Sequence, residues 1–253
     1  MGKLDERVAI ITGAAQGIGA AYARKLAAEG ARLILADVLD SEPLIEEIES
    51  TYQGAESAAL TVDVSDEAQV NDMVAKTVEK FGRLDILISN AAIFASISHK
   101  PFVDIQVEEW DRLMEVNVKG PWLCAKAAVP EMRKNGYGKI VNIASGTLFK
   151  GAPNFLHYVT SKGAVLAMTR SMSREVGGYG ICVNSLAPGL TMSEGVLRNE
   201  DSLEGRDANM HSRAFKRYQE PDDLTGAMLF LVSSDSDFMT GQCMVVDGGS
   251  VNH

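Results

Sequence analysis

The chain has 253 residues, 46% of them hydrophobic and 23% charged, enough to bury a large core within one α/β domain. Its 24 basic and 34 acidic side chains leave a net charge of −10, which argues against a nucleic-acid partner or an anionic membrane surface. The three cysteines, Cys124, Cys182 and Cys243, are odd in number and scattered, so free thiols are expected and neither a disulfide frame nor a metal site. No stretch approaches the roughly 18 apolar residues of a membrane span, and no apolar leader precedes the first predicted strand, so the expected location is cytoplasmic.

Val8–Thr12 is a short apolar, β-branched run that reads as a buried strand. Gly13-Ala-Ala-Gln16-Gly17-Ile18-Gly19 follows, then a run of strong helix formers over 20–28. Strand, glycine turn and helix together suit a dinucleotide: glycines admit the pyrophosphate, and the helix N-terminus offers free N–H groups. The spacing G-x-x-x-G-x-G departs from G-x-G-x-x-G, so the turn alone is weak evidence. Arg32–Asp37 is a second strand ending in a carboxylate, eighteen positions after Gly19 and near the roughly 20-residue offset of a ribose-binding acid. Position 16 is Gln, and Val38-Leu39 follow the acid, so no base is at hand for a 2′-phosphate. The expected cofactor is NAD.

Further along, helices are expected over 41–52, 66–81, 117–133, 158–176 and 222–233, and strands over 57–61, 84–89, 139–143, 181–186 and 244–247. Alternation of this kind predicts an α/β fold: a doubly wound, Rossmann-type parallel sheet with helices on both faces. No repeat, low-complexity tract or linker divides the chain, so residues 1–253 read as a single dinucleotide-binding and catalytic domain. The stretch 190–219, rich in charge and methionine, is expected to be a substrate lid at the carboxyl end of the sheet. Within the helix over 158–176, Tyr158 and Lys162 stand four residues apart and share one face. An ammonium beside a phenol favours the phenolate, and a tyrosine so tuned can move the proton of an alcohol or a carbonyl.

These motifs, with Asp63-Val64, Asn90-Ala91-Ala92, Asn117, Ser145, Asn184, Pro188-Gly189-x-Thr191 and Asp247-Gly248-Gly249, resemble the short-chain dehydrogenase/reductase family in its compact single-domain form. One departure is visible: the family's usual Asn-Ala-Gly is Asn90-Ala91-Ala92 here. The resemblance implies Tyr158 as general acid/base, Lys162 as the group that lowers its pKa and binds the nicotinamide ribose, and Ser145 as the partner of the substrate oxygen. It further implies that Asn117 holds a water for proton relay. Gly13, Gln16, Gly17, Ile18, Gly19, Asn90 and Ala91 would line the cofactor, with Asp37 at the adenosine ribose and Asp63-Val64 at the adenine. Pro188, Gly189 and Thr191 would meet the carboxamide and pyrophosphate. A homotetramer is implied as well.

Substrate-facing positions, Phe94, Thr147, Phe155, Leu190 and Met192 among them, are mostly apolar. They suggest a compact hydrophobic secondary alcohol or ketone, cyclic or aromatic. His99, Lys100, Arg206 and His211 leave an anionic substrate open, while His157 points elsewhere on its helix. Two further readings compete: a 3-oxoacyl-thioester reductase using NADPH, which Asp37 opposes, and a non-catalytic dinucleotide-binding regulator, which the intact Asn–Ser–Tyr–Lys set opposes.

Overall fold

Every apolar run read as a strand joins one sheet. The computed structural model describes residues 2–198 and 205–251. Its strands are β1 Val8–Thr12, β2 Arg32–Asp37, β3 Ser57–Thr61, β4 Ile86–Ser89, β5 Gly138–Ile143, β6 Ile181–Pro188 and β7 Cys243–Val246. They lie in the order β3-β2-β1-β4-β5-β6-β7, and all six pairings are parallel. The helices are α1 Gly17–Ala28, α2 Glu42–Thr51, α3 Glu67–Phe81, α4 Val107–Met114, α5 Gly120–Asn135, α6 Thr147–Lys150, α7 Leu156–Val176, α8 Glu194–Leu197, α9 Arg206–Ser212 and α10 Thr225–Val232.

Strand alternation divides the core between two layers. Ala9, Ile11, Leu33 and Leu35 face Leu26 of α1, Ile48 of α2 and Met228 of α10. Val8, Ile10, Ile34 and Leu87 face Val70 and Met73 of α3 and Leu123 and Ala128 of α5. Full burial of each such side chain is worth about 1.5–3 kcal/mol, which is why these strands read as continuous apolar runs. Beneath the sheet, fully buried Asp85 accepts from Arg7 (3.0 Å), from Arg83 and from the Val8 amide (3.0 Å), tying the start of β1 to the start of β4. The strand order reverses between β1 and β4, so a crevice opens at their carboxyl ends, where ligands of doubly wound sheets bind. Among the described residues no helix is long and apolar enough to cross a membrane.

Two segments differ from expectation. The helix expected from Asn117 begins earlier: α4 runs through a π-helical turn, Glu115–Lys119, directly into α5. The 190–219 stretch is not wholly irregular, since it carries α8 and α9, while residues 199–204 lie outside the described residues. Its two ends meet in a parallel bridge between Thr191 and Gln219. Buried Arg213 donates to Leu190 O (2.6 Å) and to Arg217 O (3.1 Å), holding the returning chain against the outgoing one.

Candidate active site

The turn after β1 is shaped by the absence of side chains. Gly13 has φ +64°, and a Cβ there would lie 2.7 Å from Ala91 Cα. A Cβ at Gly19 would lie 2.1 Å from Gly13 O, so α1 starts in backbone contact with the turn. Gln16 is the N-cap of α1 and makes no side-chain cap bond, and no acid stands in the first turn. Among the described residues the first amides of α1 therefore lack a side-chain partner and, with the dipole of a 12-residue helix behind them, suit an anion. Gly17 opens α1 at φ +61° beneath Ser193 of the 190–219 stretch, and Gln16 Oε1 accepts from Arg198 (3.4 Å).

Thr12 clasps the seam between the central strands. Its hydroxyl donates to Ile88 O (3.3 Å) and accepts the amides of Asn90 and Ala91 (3.1 Å each). Asn90 Nδ2 returns the bond, donating to Thr12 O (3.0 Å) and Gly13 O (2.8 Å). Ala92 is exposed and borders the cavity, so its methyl meets open space where the family usually has glycine.

At the end of β2, Asp37 accepts the amides of Ala15 and Leu39 at 3.0 Å each, which fixes its carboxylate beside the glycine turn. Asp63 is engaged differently: Arg112 of α4 (3.0 Å) and the amide (2.9 Å) and hydroxyl (2.6 Å) of Ser65 hold its carboxylate. Val64 is buried beside Gly120.

The candidate catalytic residues come from three elements. Asn117, fully buried in the π-turn, accepts from the Ile93 amide (2.7 Å) and donates to Ile93 O (3.1 Å) and Ser161 Oγ (3.3 Å). Ser161 in turn donates to Tyr158 O (2.7 Å), so one chain of bonds sets the loop after β4 against α7. Ser145 follows β5 and accepts both the amide (3.2 Å) and the hydroxyl (2.9 Å) of Thr147. Lys162 Nζ donates to Ile143 O (2.8 Å) and lies 5.6 Å from the centre of the Tyr158 ring. Burial pushes the Tyr158 phenol up, opposed by its hydrogen bond with Ser145, and burial pulls the Lys162 amine down to about 8. Desolvation is the largest influence on both groups, each being cut off from water.

Ser145, Tyr158 and Lys162 border one cavity of about 280 Å³. Ile18, Asn90, Pro188, Gly189 and Thr191 close it on one side, and Phe94, Thr147, Phe155 and Leu190 line it as well. Phe155 and Phe94 stack about Tyr158, with ring centres 4.7 and 5.0 Å from it. Met192 is buried but is not part of this wall; its amide is drawn to Gln219 O (2.8 Å) beside the Thr191–Gln219 bridge. Of the basic outliers His99 borders the cavity, whereas Lys100 is paired with Glu109 (2.7 Å) and His211 with Asp207 O (2.6 Å). His157 is buried behind Phe155 and away from the cavity, its imidazole pulled down by burial. Lys150, Pro153 and Asn209 also line the cavity. They were not legible in advance, since only the phase of short helices and turns brings them there.

A cleft between β1 and β4, a glycine turn and a Ser–Tyr–Lys set thus meet at one cavity. The profile of a family described as "Enoyl-(Acyl carrier protein) reductase" matches residues 13–251. The chain belongs to the short-chain dehydrogenase/reductase family. It is 37% identical to trans-4-hydroxycyclohexanecarboxylate dehydrogenase of Sinomonas cyclohexanicum, over 98% of this chain and 93% of that one. It is 34% identical to the 3-oxoacyl-(acyl-carrier-protein) reductase FabG of Thermotoga maritima, over 98% and 99% of the two chains. The crystal structure of levodione reductase superposes with a TM-score of 0.89 at 33% identity, covering 97% of each chain. Family members bind a nicotinamide dinucleotide, and the open amides of α1 with the side-chain-free turn before it fit one.

Proposed function

We propose that this short-chain dehydrogenase/reductase is an NAD-dependent enzyme that interconverts a compact, hydrophobic secondary alcohol, cyclic or aromatic, and its ketone. The observation that carries the reading is the convergence of Ser145, Tyr158 and Lys162 on a single cavity walled by Phe94, Phe155 and Leu190. Asp37 favours NAD: a carboxylate held by two amides accepts from ribose hydroxyls and repels a 2′-phosphate. The α1 N-terminus, Asn90 and Thr191 would hold the dinucleotide, with Asp63-Val64 beside the adenine and Lys162 at the nicotinamide ribose. Bound there, the nicotinamide supplies the hydride acceptor or donor. Tyr158 takes the alcohol proton during oxidation and gives it back during reduction, while Ser145 holds the reacting oxygen. Lys162 keeps two of its three ammonium protons free of Ile143 O, for the ribose and for charge on the phenol. The 190–219 stretch serves as the lid, and the working form is a cytoplasmic homotetramer, whose mass light scattering would measure.

The deciding experiment compares NADH with NADPH formation over a panel of aromatic, cyclic and linear secondary alcohols. NADH formation with a cyclic or aromatic alcohol is expected. Activity confined to NADPH and 3-oxoacyl thioesters would replace this reading with that of the FabG-like relative, and coenzyme binding without any turnover would replace it with a regulatory role.

A further inference from the structure

A hydroxyl has one proton to give and two lone pairs with which to accept. At Ser145 both lone pairs are engaged by the same residue, through the Thr147 amide at 3.2 Å and the Thr147 hydroxyl at 2.9 Å. The Thr147 hydroxyl has no other hydrogen-bond partner among the described residues. Ser145 is therefore left with its own proton alone, on the side where Tyr158 and the cavity lie. At the start of α6 the amides of Thr147, Leu148 and Phe149 already have acceptors in Ser145 Oγ, Ser145 O and Gly146 O, so the second bond, from the hydroxyl, is not one the helix start requires.

We propose that Thr147 is a positioning residue: by donating its hydroxyl to Ser145 Oγ it makes Ser145 an obligate hydrogen-bond donor to the reacting oxygen, so that the proton of an alcohol substrate can leave only to Tyr158. The inference rests on the proposed alcohol-oxidising role of the site. During oxidation the substrate O–H bond breaks and its proton joins the Tyr158 oxygen, while the carbinol hydrogen leaves with its electron pair for the bound coenzyme. The Ser145 O–H bond stays intact throughout. The same bond would stabilise a substrate alkoxide and a Tyr158 phenolate alike, which is the direction in which Ser145 acts on the phenol. A Ser145 free to rotate would spend part of its time accepting from the alcohol and would withhold that stabilisation.

The test measures kcat and KM across pH for the parent, Thr147→Val, Thr147→Ser, Ser145→Ala and the double variant Ser145→Ala/Thr147→Val, with NADH affinity followed by fluorescence. Valine keeps the branched shape and the amide but deletes the hydroxyl; serine keeps the hydroxyl. Thr147→Val should lower kcat about fivefold, the worth of one neutral hydrogen bond, and move the rising limb of the oxidation profile to higher pH, with NADH affinity unchanged. Thr147→Ser should restore the parent kcat to within about twofold, and the double variant should be no slower than Ser145→Ala alone. Thr147→Ala gives the same loss should valine disturb folding. A parent-like Thr147→Val, a Thr147→Ser as slow as valine, or additive losses in the double variant would overturn the inference while leaving the proposed function standing. A parent unable to oxidise any secondary alcohol would overturn both.

Discussion

Lys162→Met should stabilise the coenzyme-free protein, and by an amount that depends on pH. The Lys162 amine is buried with burial as the cause of its shift, and among the described residues no carboxylate offsets it and Ile143 O is its acceptor (2.8 Å). The gap between an ordinary lysine at 10.5 and about 8 corresponds to about 3 kcal/mol of disfavoured charge. Below pH 8 the amine is charged in both the folded and unfolded chain, so the folded state bears that penalty in full. Between 8 and 10.5 the unfolded chain holds a proton that the folded chain lacks, and rising pH favours folding by about 1.4 kcal/mol per pH unit. Methionine fills a similar volume without the charge and forgoes the bond to Ile143 O, worth about 1 kcal/mol. The net gain near pH 7 is about 2 kcal/mol, or roughly 4–8 °C in melting temperature for a chain of this size. Urea or thermal melts of both proteins from pH 7 to 9.5 give the difference directly, below the range where tyrosines ionise. The advantage should be greatest at pH 7 and close to nil by 9.5. An advantage that stays constant across that range, or a variant less stable than the parent at pH 7, would refute the reasoning.

Tyr158→Phe removes only the phenolic oxygen, so kcat should fall by about 10²–10⁴ while NADH still binds, as fluorescence titration would show. Asp37→Ser should shift the ratio of kcat/KM for NADP over NAD upward by at least about tenfold, since the repelling charge is gone; an unchanged ratio in coenzyme kinetics would remove Asp37 from the ribose site. Gly19→Ala forces a methyl to 2.1 Å from Gly13 O, so the turn must shift: the melting temperature should drop by several degrees and NADH affinity should weaken together.

The strands were legible because a parallel sheet buried on both faces leaves continuous apolar runs such as Val8–Thr12. The glycine turn, Asp37 and the four-residue step from Tyr158 to Lys162 were legible because each depends on local geometry alone. The helix α4 was missed although Gln106 and Glu109 form a capping box and apolar residues fall at 107, 110 and 113. It buries only Leu113 and lies over the surface, so its pattern carried little weight. Missing it hid Arg112, and with it the engagement of Asp63. The acceptor of Lys162 is a backbone carbonyl on β5, which no side-chain pattern encodes. Desolvation of Tyr158 and Lys162 is equally invisible in one dimension, because it depends on what covers them.

The π-turn between α4 and α5 has a consequence for anyone editing this chain. Deleting one residue from Glu115–Lys119 would remove the π-turn and carry α4 into α5 in ordinary α-helical register, with only Pro121 and Pro130 lacking an amide to donate. It would also rotate one half against the other by about 100° and swing Asn117 out of reach of Ile93 and Ser161. Local regularity and a competent active centre are therefore opposed at this point, and shortening the helix to improve it would disarm the protein.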